Sequence, residues 1–555
     1  MKRLDRNWLS FVAAPLALAC LLLIGSPTTK HLTPVEETTS YIVQGNDLST
    51  VREAVLAVGA TITHELGIIR AVGAPLSAPQ AAELSRYDGV TRVWRDSQVE
   101  TAKKVNTNTS TVPSAAYPAM VDAPRLHEEG ITGTGVTVAV IDTSIAYFEG
   151  IDKDTQGRYR IRSIYYVDSG EEYTEQYIRA TLDSSGHGSH VTGIVVNSDF
   201  GKRNKTYNGI APDADLVVIG AFDRYGRSSY LDVIQGINYA VVNKDRFDIR
   251  VLNLSFSAPP RSHYWDDPLN QAVMAAWRAG IVVIASAGND GPDPMTIGVP
   301  GNVPYIISVG AMSDAATTRD KSDDFLASFS ASGPTAEGFV KPDIVAPGGH
   351  LISTMSIATQ IVMDHPEFHD QGSYFTMSGT SQAAAVVSGV ATLLLQADPD
   401  LSPDDVKCRL MASARPAVND DGTLAYSVFQ QGAGMVNAYD AVYATESGCA
   451  NRGLEIELDL AGTHHYRGRA NQWPDGSYYI DGLEGDGFLW SDGFLWSDGF
   501  LWSDGFFWSD GFLWSDGFLW SDGFFWSDAF VEFDGFLWSD TLTETMSVNV
   551  WVEQE

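Results

Sequence analysis

Four polar residues of this 555-residue chain stand where nucleophilic attack on a carbonyl would need them. Asp142 follows the apolar run VTVAVI (136–141), so its carboxylate emerges at the carboxyl end of a strand. His187 lies in GHGSHVTG (186–193), where glycines allow close backbone approach and the residues that follow suit a buried helix. Ser381, in TMSGTSQAAA (376–385), opens a small-residue helix whose free N–H groups and positive dipole end favour an oxyanion. Asn289, in ASAGND (285–290), ends another apolar run, and its amide would donate to the same oxyanion. A hydroxyl, an imidazole, a carboxylate and an amide so placed fit a nucleophilic catalyst. Taken singly, each has an ordinary explanation: a turn aspartate, a helix-capping serine, or a metal pair formed by His187 and His190. The metal alternative lacks an H-E-x-x-H pattern and a nearby third ligand, so no metal site is expected.

The elements that must position these residues are legible as short apolar runs without polar alternation, at 136–141, 216–219, 251–254, 281–285 and 306–309. Such runs read as strands buried on both faces of a parallel sheet. Helical patterns at 230–243, 268–279 and 382–397 alternate with them. The fold class expected is therefore α/β, a doubly wound and mostly parallel sheet, with ligands bound beyond the carboxyl ends of its strands.

Together the four segments resemble the subtilisin-like serine protease (subtilase) family. Asp142-Thr143-Ser144 is similar to its aspartate motif, His187-Gly188-Ser189-His190 to its histidine motif, and Gly379-Thr380-Ser381-Gln382-Ala383-Ala384 to its serine motif. Asn289 matches its oxyanion asparagine, and the order Asp, His, Ser is the subtilisin order. GIAP (209–212) and KPDIVAPG (341–348) extend the likeness, which covers about residues 120–445. The resemblance implies Ser381 as nucleophile, His187 as base and then acid, and Asp142 as the group that orients the imidazole. It also implies substrate lying as an added strand beside Ser255-Phe256-Ser257 and Arg227-Ser228-Ser229, with broad specificity. Asp290, beside Asn289, is a candidate for drawing basic side chains. No cofactor is required for this chemistry, although structural calcium is compatible with it. Three positions depart from the family pattern: Ser144 and Ser257 replace glycines and Ala385 replaces a proline. Ser257 is expected to narrow the pocket entrance.

The flanks suggest a precursor. Residues 1–30 carry a basic start and an apolar stretch, which reads as an export signal or an uncleaved anchor. Residues 38–104 read as β-α-β-β-α-β, with strands at 41–44, 60–63, 68–72 and 90–94 and helices at 48–58 and 78–87. That unit resembles an inhibitor propeptide, so the chain's own N-terminal domain is an expected partner. A linker (105–118), a catalytic domain (119–449) and a β-rich connector (450–485) follow. The connector is expected to hold a half-buried strand at 454–460 (LEIELDL). Cys408 and Cys449 are candidates for a single disulfide in an oxidising compartment.

Residues 486–540 repeat the hexapeptide DGFLWS, and 541–555 read as a C-terminal strand. An even period places Asp, Phe and Trp on one face of extended chain, with Asp-Gly as a recurrent turn. Aromatic burial within the array and contact with cell-envelope polymers or glycan are both open readings. The net charge of -34 argues against nucleic acid or anionic membrane as partners. Protein and peptide substrates in an extracellular setting are the expectation. A non-enzymatic adhesin displaying the repeats is the rival reading.

Overall fold

The computed structural model describes residues 38–96, 98–101, 112–174, 183–313, 324–419 and 421–480. The N-terminal segment, the hexapeptide array and the strand expected at its end lie outside the described residues. The first described unit runs β1 (Thr39–Gly45), α1 (Leu48–Ala57), β2 (His64–Leu66), β3 (Ala71–Leu76), α2 (Ala78–Leu84) and β4 (Val90–Arg95), an antiparallel sheet in the order β2-β3-β1-β4. The expected element order holds, with shifted boundaries. The strand expected at 60–63 falls at His64–Leu66, and Ile68 and Ile69 sit in a single 3-10 turn. Period-2 alternation gives this sheet two different faces. Val43, Val72, Ala74 and Leu76 pack on α1 and α2, while Ile42, Leu66, Ile69 and Ala71 join the core of the larger domain.

That larger domain is a nine-stranded sheet. After β5 (Gln98–Thr101) come β6 (Thr137–Asp142), β7 (Ile161–Tyr166), β8 (Glu171–Tyr173), β9 (Asp215–Gly220), β10 (Arg227–Ser229), β11 (Ile249–Leu254), β12 (Phe256–Ser257) and β13 (Val282–Ser286). Next are β14 (Ile307–Ser313), β15 (Phe325–Leu326) and β16 (Ile344–Pro347). The sheet order is β15-β14-β13-β11-β6-β9-β7-β8, with β16 also paired to β14. Every internal pairing is parallel, and only the edge strands β8 and β15 run antiparallel. Residues 138–141 of β6 are fully buried, which explains their unbroken apolar run.

Helices cover both faces. Asn253 pairs in register with Val140 and points at Ser388 of α6 (Thr380–Ala397; α3 is His187–Val196, α4 Tyr230–Val242 and α5 Pro268–Arg278). The next side chain, Ile141, points the opposite way, onto Gly236 of α4. Both α4 and α5 begin at side-chain caps. Ser229 accepts from Asp232 N, and Asp267 accepts from Leu269 N and Asn270 N ahead of Pro268.

These two helices also carry the N-terminal unit. Gln44 meets Gln271 there, Arg92 meets Asp266, His64 lies 3.5 Å from Asp232, and Leu231 packs against Gly73.

The segment after residue 449 differs from expectation. In place of a strand at 454–460 there is a short helix, α8 (Ile456–Leu460), whose buried residue is Asp459. The alternation of Ile456, Leu458 and Leu460 loses to a polar anchor. Asp459 accepts from Tyr264 Oη at 2.6 Å and Tyr305 Oη at 3.0 Å, and lies 2.7 Å from His465 Nδ1. Trp265 is stacked between His263 and His465, with ring centroids 4.4 and 4.8 Å away. A hairpin, Ala470–Gln472 with Tyr478–Ile480, closes the described chain. Cys408, in α7 (Pro403–Ala412), is bonded to Cys449 with Cα atoms 5.3 Å apart. Closing a loop of 41 residues stabilises the fold by about 4 kcal/mol in the chain-entropy model.

Candidate active site

Asp142 is the last residue of β6, and both its carboxylate oxygens face His187 Nδ1, at 2.7 and 2.8 Å. Neither side chain reaches solvent. His187 opens α3, and Gly188 behind it has no room for a side chain: a Cβ there would lie 2.1 Å from the Ser144 carbonyl oxygen. Ser144 keeps the backbone of the glycine it replaces, at φ 85°, a left-handed conformation that costs a non-glycine residue. Its hydroxyl donates to Tyr166 Oη at 3.2 Å.

Asp183, which sequence reasoning missed, organises the turn before His187. It accepts from Ser185 N, Gly186 N, Ser189 N, Ser189 Oγ and Thr143 Oγ1, while Thr143 Oγ1 accepts from Gly188 N. Burial pushes the Asp183 carboxyl up against these hydrogen bonds. An aspartate four residues before the histidine, at the mouth of a helix, is the signal that was available.

His190 is not free for a metal. Its Nε2 faces the carbonyls of Leu351 and Phe375 at 3.2 and 3.1 Å, and burial, aided by the His187 charge, pushes the ring down to about 3. Among the described residues no cluster of three His, Cys, Asp or Glu side chains is arranged to hold a metal ion.

Ser381 lies in the first turn of α6, which packs on α3. Its hydroxyl donates to the Ser255 carbonyl at 2.8 Å, and Ser255 Oγ donates in return to the Ser381 carbonyl at 2.8 Å. Asn253 Nδ2 donates to Ser255 Oγ, which extends the chain of bonds into the sheet. Asn289 Oδ1 accepts from Thr380 N at 3.0 Å and from Thr380 Oγ1 at 2.8 Å, so its amide nitrogen is the atom left over. Both His187 Nε2 and Asn289 Nδ2 are buried with no hydrogen-bond partner among the described residues. Such atoms are costly unless something binds them.

The two flanks expected to hold substrate lie on either side of β5. Arg227–Ser229 pairs antiparallel with it, Ser228 opposite Val99, and Phe256–Ser257 pairs antiparallel on the other edge, Ser257 opposite Glu100. Asp290 is exposed, although the surrounding loop desolvates it enough to push its carboxyl up.

Comparison with known proteins identifies the family. A family model described as the Subtilase family matches residues 133–434, just over half of the chain. The chain belongs to the subtilase family. Serine protease AprX of Bacillus subtilis is 39% identical over 317 residues, covering 56% of this chain and 67% of AprX. Subtilisin E of the same organism is 28% identical over 421 residues, covering 75% of this chain and 91% of that protein. Fervidolysin from Fervidobacterium pennivorans, described as a keratinolytic enzyme related to subtilisin, superposes with a TM-score of 0.58 at 23% identity. The match covers 74% of this chain and 62% of fervidolysin, and it supports the fold. As a subtilase, the protein is a subtilisin-like serine endopeptidase with protein substrates.

Proposed function

We propose that this protein is an exported peptidase, made as an autoinhibited precursor, that cleaves peptide bonds through an acyl-enzyme on Ser381. The observation that carries the reading is the pair of buried, unpartnered polar atoms, His187 Nε2 and Asn289 Nδ2, on residues next to the Ser381 helix. In this mechanism the Ser381 hydroxyl leaves the Ser255 carbonyl, passes its proton to His187 Nε2 and attacks the substrate carbonyl. Asn289 Nδ2 and the Ser381 N–H receive the oxyanion. Asp142 holds the Nδ1 proton and stabilises the imidazolium, which then protonates the leaving amine. Water enters by the same route in reverse and frees the acid product.

The N-terminal unit acts as inhibitor, with Gln98–Thr101 in the place of substrate. Maturation then cuts between Thr101 and Pro113. The residues from Pro113 onward are pinned to the mature domain, Asn208 Nδ2 donating to the Pro113 carbonyl and Asn208 Oδ1 accepting from Ala115 N. Export is supported by the apolar N-terminal segment and the disulfide; the aromatic repeats are proposed to contact cell-envelope polymers.

A fluorophosphonate probe on purified protein tests the reading. The wild type labels once matured, while Ser381→Ala neither labels nor releases residues 38–104. A matured wild type that refuses the probe, or normal maturation of Ser381→Ala in isolation, overturns it.

A further inference from the structure

Beyond the carboxyl ends of β11 and β13, three segments meet next to Ser381 around what we take as the side-chain recess of the substrate: residues 255–258, residues 287–289, and Gly298 with Val299. Hydrogen bonds lock the walls together. Ser286 Oγ donates to the Phe256 carbonyl at 2.8 Å, Gly298 N to the Ala287 carbonyl at 2.9 Å, and Ala258 and Val299 exchange backbone bonds of 3.0 and 2.7 Å. Two of the bounding residues are glycines, and the space they leave is filled. A Cβ on Gly298 would lie 1.9 Å from Ser257 Oγ, and one on Gly288 would lie 3.1 Å from it. The Ser257 hydroxyl therefore lies between the two glycines.

The direction of a bound substrate follows from strand geometry. Ser255 carries the carbonyl that holds the Ser381 hydroxyl, so the substrate residue opposite Ser255 is the one whose carbonyl is attacked. Residues opposite each other in an antiparallel pair share a face, as do residues two apart. The side chain on the acyl side of the scissile bond therefore enters on the face that Ser255 and Ser257 share. There it meets the Ser257 hydroxyl.

We infer that Ser257 closes this recess and restricts the enzyme to bonds that follow glycine, alanine or serine. The inference rests on the acyl-enzyme reading and adds a substrate class to it. The walls are bonded to one another, so they do not spread to admit a large ring while the Ser257 hydroxyl lies between them.

Peptide anilides differing only in this residue test it, with enzyme concentration set by fluorophosphonate titration. Wild type is expected to favour alanine over phenylalanine by roughly 100-fold or more in kcat/KM. Ser257→Gly should recover phenylalanine cleavage by about tenfold or more while changing alanine cleavage far less. The purified precursor gives a readout without any variant. Within residues 102–112 (AKKVNTNTSTV), a new terminus behind Ala102 or Ser110 supports the inference, and one behind lysine, asparagine, threonine or valine overturns it. Labelled wild type that cuts after phenylalanine as well as after alanine also overturns it. Absence of labelling would instead defeat the acyl-enzyme reading.

Discussion

The cleft and the C-terminal clasp each contain a buried aspartate 2.7 Å from a histidine Nδ1, Asp142 with His187 and Asp459 with His465. In the clasp, the carboxylate is shared with two tyrosine hydroxyls, and its histidine is about a third exposed and stacked on Trp265. In the cleft, both carboxylate oxygens face one imidazole, which is wholly buried and has its second nitrogen unpartnered among the described residues. An Asp–His pair is thus chemically neutral in itself. On the proposed mechanism it serves as a base where the far nitrogen is left unpartnered, and here it is a fastener where the carboxylate is shared with two tyrosines.

The same substitution in both places gives the sharpest contrast. Asp142→Asn is expected to lower kcat about 10⁴-fold at neutral pH by disturbing the imidazole tautomer, measured on a peptide anilide. Asp459→Asn should leave kcat/KM within about twofold, and a loss comparable to that of Asp142→Asn would erase the distinction. Next in size, Asn289→Ala should lower kcat about 10²–10³-fold with little change in KM, a magnitude measured on a subtilisin and carried over to this relative. Asp459→Ala should then cost about 1–3 kcal/mol of stability in urea unfolding, because the Tyr305 hydroxyl loses its acceptor and the Tyr264 hydroxyl keeps only the Tyr466 carbonyl at 3.4 Å.

The smallest effect appears only through pH. Lys341 and Lys407 share the buried carboxylate of Asp343 at 2.6 and 2.9 Å. Burial pushes Lys341 down to about 7, against the pull of Asp343. An unfolded lysine releases its proton near 10.4, so between about 7 and 10 the unfolded chain holds more protons, and stability rises with pH. Lys341→Met should flatten that rise in urea midpoints collected across the window. An unchanged slope would show that the cluster keeps its proton.

Much of the cleft was legible because its requirements are local. A strand that ends in Asp142, glycines around His187 and small residues after Ser381 each mark a backbone constraint within a few positions. The buried runs at 136–141 and 251–254 marked the central strands for the same reason. The clasp was illegible because its bonds join Asp459 to Tyr264 and Tyr305, 195 and 154 residues away. No window containing LEIELDL holds that information, so its alternation pointed to a strand. Asp183 is a different case: four of its five donors lie within six residues, so its signal was local and was overlooked, and only the Thr143 bond, 40 residues upstream, needed the fold. That Ser257 narrows the pocket entrance was implied by the family resemblance, where a glycine is usual, but its contact with Gly298 needed the fold.

The Cys408–Cys449 bond sets how the molecule bears load. Everything after Cys449, including the aromatic array, hangs from that cysteine, and a pull on the far end meets the hairpin first and the Asp459 clasp second. The third resistance is covalent and leads to Cys408 on the buried face of α7. Tension therefore bypasses the 41-residue span between the two cysteines, which holds α7's last turn and the segment that backs β16. If the tail grips a surface, drag on the enzyme peels the connector and then enters the fold at Cys408, in the helix that follows α6.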